Sequence, residues 1–213
     1  MADEIIWKME KLNVGAIDVH STYPEVSEIN YLLKAGEVEK VMAYLHGEEN
    51  LFDGKKKNAY DAYIDARASY ISSISDANVE IVTLWSALGE VESSKAYIKD
   101  CDRHFRTMDR TGEVPKNSID YKSYEIYIKQ LDIAFMSGSY GSKCLYSATK
   151  QMLDINPKLN IFIVQGPVIW GPNPGTIYDE LSVKIIPQKQ ITKELTFLKN
   201  NYDINDMDPS IPQ

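Results

Sequence analysis

Residues 84–108 read LWSALGEVESSKAYIKDCDRHFRTM, and the fold turns on how their apolar positions are spaced. Leu84, Leu88, Val91, Ile98, Cys101, Phe105 and Met108 recur at intervals of three, four or seven, the period that keeps one stripe on one face of an α-helix. Upstream, Tyr60, Ile64, Ile71, Ile74 and Ile81 continue the spacing. Residues 58–108 are therefore expected to form two helices, or one helix bent near 75–78, where Ser72, Ser73, Ser75, Asp76 and Asn78 compete for backbone hydrogen bonds.

Working outward, Thr22, Pro24 and Glu25 form a helix start of the capping-box kind, and Gly36 supplies a stop. A second short helix over residues 37–45 would complete a helical hairpin. Tyr121, Tyr124, Ile128, Leu131 and Phe135 predict another helix, a Ser137–Ser142 loop follows, and a further helix is expected over Lys143–Ile155. Only beyond Pro157 does the character change. Leu159–Val164 is branched and aromatic and reads as a strand, with Val168-Ile169-Trp170 as its continuation. Pro174-Gly175 suggests a turn, Ile177–Ile186 the returning strand, and Ile191–Asn200 a last helix before an acidic tail. The expected fold class is mainly α: a helical bundle over residues ~22–155 with a small C-terminal β-hairpin or strand element and a terminal helix, α+β in sum. Two units are expected, a helical bundle domain over 1–156 and a β-containing appendage with a short helix and acidic tail over 157–213.

The formal net charge is 23 − 31 = −8, and ten carboxylates face four lysines in the first fifty residues. Lys55-Lys56-Lys57 is the one basic run, so no nucleic-acid partner is expected. No stretch approaches the roughly 18 apolar residues that span a bilayer, and no basic start leads into an apolar run, so neither a membrane nor a secretory route is expected. Cys101 and Cys144 form no C-x-x-C pair and fit buried free thiols in a reduced compartment, which places the protein in the cytoplasm or in a particle assembled there.

Tyr146-Ser147-Ala148-Thr149-Lys150 resembles the Y-x-x-x-K element of short-chain dehydrogenases. The resemblance implies a tyrosine general acid, Tyr146, whose pKa Lys150 lowers. It covers five residues; a glycine-rich turn is missing, and Ile133 stands where the family has a serine. Ser137–Lys143 is a second candidate, a flexible loop opening a helix, in which Gly138, Gly141 and Lys143 could hold an anion. It departs from a Walker loop at Ser142 and Cys144. His20, His46 and His104 are scattered; Cys101 and His104 lack a second ligand pair, and Asp203, Asn205, Asp206 and Asp208 lack the glycine and closing glutamate of a calcium loop. No metal and no cofactor are expected.

The compositional excess is tyrosine, 14 residues. Tyr121, Tyr124 and Tyr127 along one helix, and Tyr60 and Tyr63 along another, are the interface candidates, because tyrosine pairs a large contact area with a polar tip. The sequence thus reads as a structural or assembly protein, such as a virion or phage head–tail component, working through contacts with other chains in an oligomer and not as an enzyme. The alternative is an enzyme with its site around residues 137–150.

Overall fold

A computed structural model describes residues 10–19, 32, 35–46, 54–86, 101–108, 111–139, 141, 143–169, 178–181 and 183–204. Most of the first helix of the expected hairpin, His20, the side chains of Lys55–Lys57 and Tyr60, the expected helical positions Leu88, Val91 and Ile98, the Pro174-Gly175 turn and the tail beyond Ile204 lie outside the described residues.

Six strands form one sheet, every pair parallel: β2 (Val14–Val19), β3 (Glu80–Ser86), β4 (Arg103–Thr107), β5 (Ile133–Ser139), β6 (Asn160–Ile169) and β7 (Val183–Ile186), in the spatial order β4-β3-β2-β5-β6-β7. Two short strands, β1 (Lys11–Leu12) and β8 (Asp203–Ile204), pair separately, also in parallel. Among the described residues the helices are α1 (Val38–Leu45), α2 (Gly54–Asp76), α3 (Tyr121–Gln130), α4 (Cys144–Ile155) and α5 (Gln188–Asn201). The chain starts in the middle of the sheet at β2, builds to one side through β3 and β4, then crosses to the other through β5, β6 and β7. Between β2 and β5 the order of building reverses.

Two cores follow from the alternation of side chains along the strands. Ile17, Val19, Val82, Leu84, Ala134 and Met136 face α3 and α4, where Tyr124, Tyr127, Ile128, Leu145, Ala148 and Met152 complete one core. Val14, Ala16, Ile81 and Phe135 face α2 and α5, where Tyr70, Ile74, Ile191, Leu195 and Leu198 complete the other.

This architecture corrects the expected helical bundle. Parallel strands covered by helices on both faces read as continuous apolar runs and give no alternating pattern. Val14–Val19 is buried at all six positions, which is why it did not announce itself as a strand. The supposed bend at 75–78 is a helix end: Asn78 has φ of +53°, its N–H donates to the Ser75 carbonyl at 2.9 Å, and Val79 N–H donates to the Ile74 carbonyl at 3.2 Å. That is a Schellman stop, after which Val79 and the branched residues behind it enter β3. Residues 103–107 alternate buried and exposed, so Phe105 belongs to a strand and its helical spacing from Cys101 and Met108 is coincidental. Phe135 likewise lies in β5, because α3 ends at Gln130. The expected hairpin near the C-terminus is also replaced: β6 and β7 run parallel, with Ile161 opposite Val183, and both belong to the sheet that holds β2 to β5.

Candidate active site

Ligands of open parallel sheets bind at the carboxyl ends of the strands where the building order reverses. Here that point lies between β2 and β5, whose last pairs are Asp18 with Ser137 and Val19 with Gly138. Asp18 is 1% exposed, yet a buried carboxylate requires partners to offset its lost hydration. It has three. Arg67 on α2 donates to Oδ2 through Nε at 3.0 Å and Nη2 at 2.8 Å, and Ser137 donates to Oδ1 from Oγ at 2.9 Å. Three residues further along α2, the Tyr70 hydroxyl donates to the Phe135 carbonyl at 3.0 Å. Burial, reinforced by the nearby Asp18 charge, pushes the Tyr70 pKa far up and keeps its proton in place. Thr83 is buried on the strand opposite Asp18, and beside it Cys101 is half-buried with its thiol pKa raised, chiefly by burial.

The next helix after β5 is α4, and Cys144 is its first residue. Gly138 has φ of +119°, and a Cβ there would stand 2.7 Å from the Val19 nitrogen, so only glycine lets β5 end this close to β2. Cys144 is 4% exposed. Its surroundings are built from two segments. Thr111–Pro115 is strapped to α4 by Gln151, whose side chain accepts from Val114 N–H at 2.9 Å and donates to the Val114 carbonyl at 2.8 Å. From the other segment, the Tyr178 hydroxyl donates to the Gly141 carbonyl at 2.6 Å, and its ring meets Tyr146 edge-on at 5.8 Å. The first-turn N–H groups of a helix have no intrahelical partner and carry the positive end of its dipole, so Cys144 sits where a thiolate or a developing oxyanion is favoured.

The residues singled out from sequence are distributed unevenly around this place. Tyr146 is half-buried and its hydroxyl donates to Glu180, which raises its pKa, the opposite of what a dehydrogenase tyrosine needs. Lys150 is exposed on α4, and Lys143 is exposed at the helix N-cap. Gly138 and Gly141 belong to the loop, but one closes the sheet and the other offers its carbonyl to Tyr178. Among the interface candidates, Tyr124 and Tyr127 are fully buried within this chain, Tyr63 is 5% exposed and Tyr121 packs against the same core. Asp18, Arg67 and Tyr178 were not singled out, and Cys144 was read as a buried thiol. A lone carboxylate closing the apolar run Val14-Gly-Ala-Ile-Asp18 was the available signal. Among the described residues, no group of three His, Cys, Asp or Glu is placed to hold a metal.

The sequence matches no protein-family model and no curated protein. The fold is shared with solved structures. YcaC from Pseudomonas aeruginosa, solved with hexane-2,5-diol and covalent acrylamide, aligns with a TM-score of 0.56 at 11% identity over 92% of this chain and 86% of its own. The MAR1 ribonuclease from Caenorhabditis elegans gives 0.55 at 9% over 95% and 98%. A cysteine hydrolase from Pseudomonas syringae pv. phaseolicola gives 0.54 at 8% over 86% and 92%. YcaC from Escherichia coli, described as an octameric hydrolase of unknown specificity, gives 0.51 at 11% over 91% and 85%. With a putative isochorismatase from Burkholderia xenovorans also among the matches, at 0.52 and 9% over 92% and 91%, the chain has the isochorismatase-like fold.

These findings correct the reading as a non-enzymatic structural, assembly or virion component. That reading rested on a helical bundle with no scaffold for a site. The sheet supplies the scaffold, and the proteins that share it are described as hydrolases and a ribonuclease. No helix among the described residues is long and apolar enough to cross a membrane.

Proposed function

We propose that the protein is a thiol-dependent hydrolase acting at a carbonyl carbon, with Cys144 as nucleophile and Asp18 as its acid–base group. One observation carries the reading: a cysteine opens the helix that follows β5, while a buried aspartate stands one residue before the end of β2, the strand paired with β5, at the point where the sheet reverses its order. The alternative site around residues 137–150 is thereby retained, with Cys144 in place of Tyr146 and Lys150.

The chemistry follows from those groups. Cys144 passes its proton to Asp18 as the sulfur attacks the carbonyl carbon; a C–S bond forms and the carbonyl π pair moves to oxygen. N–H groups at the start of α4 are suited to hold that negative charge. Collapse breaks the bond to the leaving group, which departs with the proton returned by Asp18. Water then adds to the thioester, and the acid leaves as the thiol is restored. Two proteins that share the fold support the reading: one is described as a cysteine hydrolase, and YcaC from Pseudomonas aeruginosa holds covalent acrylamide, an electrophile of the kind that thiols add to.

p-Nitrophenyl acetate, followed by a panel of small primary amides, tests the reading. An acetyl group on the Cys144 peptide by mass spectrometry, and turnover reduced to the background rate in Cys144→Ala, are the expected results. A Cys144→Ala protein that hydrolyses at the unaltered rate would remove the proposal.

We further infer that several copies associate, as in the octameric YcaC from Escherichia coli. Val38, Met42, Ile119 and Phe197 are large apolar side chains at the surface, between 46% and 95% exposed, and association would cover such groups. Light scattering on the purified protein tests this, and a monomer at high concentration would oppose it. A thiol nucleophile suits a reducing compartment, the cytoplasm.

A further inference from the structure

The geometry points to Arg67 as a positioning residue: by occupying Oδ2 of Asp18 it reserves Oδ1 for the reaction. This rests on the proposed hydrolase reading and adds a residue to it from an element, α2, that contributes nothing else to the chemistry.

The two oxygens of Asp18 are used differently. Oδ2 receives two donors from one guanidinium, Nε at 3.0 Å and Nη2 at 2.8 Å, while Oδ1 receives Ser137 Oγ at 2.9 Å. A carboxylate oxygen has two lone-pair directions, so Oδ2 is filled and Oδ1 keeps one acceptor direction. The guanidinium holds Oδ2 in place with two donors from one rigid plane, which the point charge of a lysine would not do, and with Ser137 on Oδ1 it sets the roll of the carboxylate. Arg67 is itself held. Its side chain is 13% exposed, and α2 is docked at the same level by Tyr70 on the Phe135 carbonyl and by Gln188 Nε2, which donates to the Ala66 carbonyl at 2.8 Å. The helix that delivers the guanidinium is thus tied to β5 and to the start of α5 within one turn of Arg67.

The consequence is that Arg67 acts on the rate only through Asp18, and a double-mutant cycle isolates that dependence. p-Nitrophenyl acetate turnover is measured for the unaltered protein, Arg67→Met, Asp18→Asn and the double variant, each checked for folding by its thermal melt. Arg67→Met is expected to lower kcat by about tenfold or more with KM within about twofold, since misplacing a reacting group costs rate and not ground-state binding. In the Asp18→Asn background the same substitution is expected to change nothing further. A helix-docking role alone would slow both backgrounds equally, and that result, or an Arg67→Met protein with unaltered kcat, overturns the inference while leaving Cys144 and Asp18 in their roles. If Asp18→Asn itself turns over at the unaltered rate, the acid–base assignment fails and this inference falls with it. Should Arg67→Met not fold, Arg67→Lys serves in its place, with a partial loss expected beside Asp18 and none beside Asn.

Discussion

Gly112 and Cys144 meet backbone to backbone. Gly112 has φ of +70°, and a Cβ added to it would stand 2.9 Å from the Cys144 carbonyl carbon. The segment after β4 thereby fixes the height at which α4 begins.

Gly112→Ala combines a disfavoured backbone conformation with a collision against backbone that cannot swing away. A loss of stability on the order of 3 kcal/mol is expected, read from the midpoint of urea unfolding. An unchanged midpoint would mean that the strap does not bear on α4.

Tyr178→Phe removes one hydroxyl that is buried and bonded to the Gly141 carbonyl. Stability should fall by about 1 kcal/mol, the net worth of such a bond. A fall in kcat larger than that stability loss would show that Tyr178 holds the loop ahead of Cys144 in its working shape.

Asp18→Ala leaves the largely buried Arg67 guanidinium without its carboxylate. Breaking a buried pair in this one-sided way costs about 3–5 kcal/mol. Arg67→Met with Asp18→Leu should recover part of that loss, measured by the same unfolding experiment.

Tyr70, Tyr124, Tyr127 and Tyr178 all have pKa values pushed above the ordinary phenol, each chiefly by burial. Their protons stay on in the folded chain while the unfolded chain releases them near pH 10. Stability from this source is full below that pH and is lost as pH rises beyond it, by about 1.4 kcal/mol per pH unit for each tyrosine. The tyrosinate absorbance of these four should therefore rise together with the loss of circular dichroism in one cooperative alkaline transition, after the accessible tyrosines have titrated. Ionisation of all 14 tyrosines before the loss of structure would contradict the burial.

Iodoacetamide near neutral pH offers a direct comparison of the two thiols. Cys101 is the more exposed, whereas Cys144 opens α4 and is the proposed nucleophile. Cys144 is expected to be labelled first. Labelling confined to Cys101 would count against a nucleophilic role for Cys144.

What the sequence revealed depended on whether a segment's pattern had one meaning. Tyr121, Tyr124 and Ile128 pack on a single core, and their helical spacing led to α3. The strands were hidden for the converse reason. Val14–Val19 is enclosed on both faces and has no polar side to set a period, while Leu84 and Phe105 fall at helical intervals from residues outside their own strands. Helix α2 lies where the spacing of Tyr60, Ile64, Ile71 and Ile74 places a helix, although Arg67 and Tyr70 make part of its docked face polar. At the site, the loop of residues 137–143 stood out through its glycines, but the side chain that matters lies one position beyond it. Asp18 and Arg67 are 49 residues apart, and no local pattern could have joined them.

The small pairing of β1 with β8, Lys11 opposite Asp203 and Leu12 opposite Ile204, ties a segment near one end of the chain to a segment near the other. β1 continues after a single residue into β2, and β8 is separated from α5 by Tyr202 alone. Fraying at either end therefore tugs on an element that matters to the centre: on one side the strand that carries Asp18, on the other the helix whose first residue, Gln188, grips α2 beside Arg67. Hydrogen exchange would register the two edges as one opening event, with the amides of β1 and β8 losing protection in step.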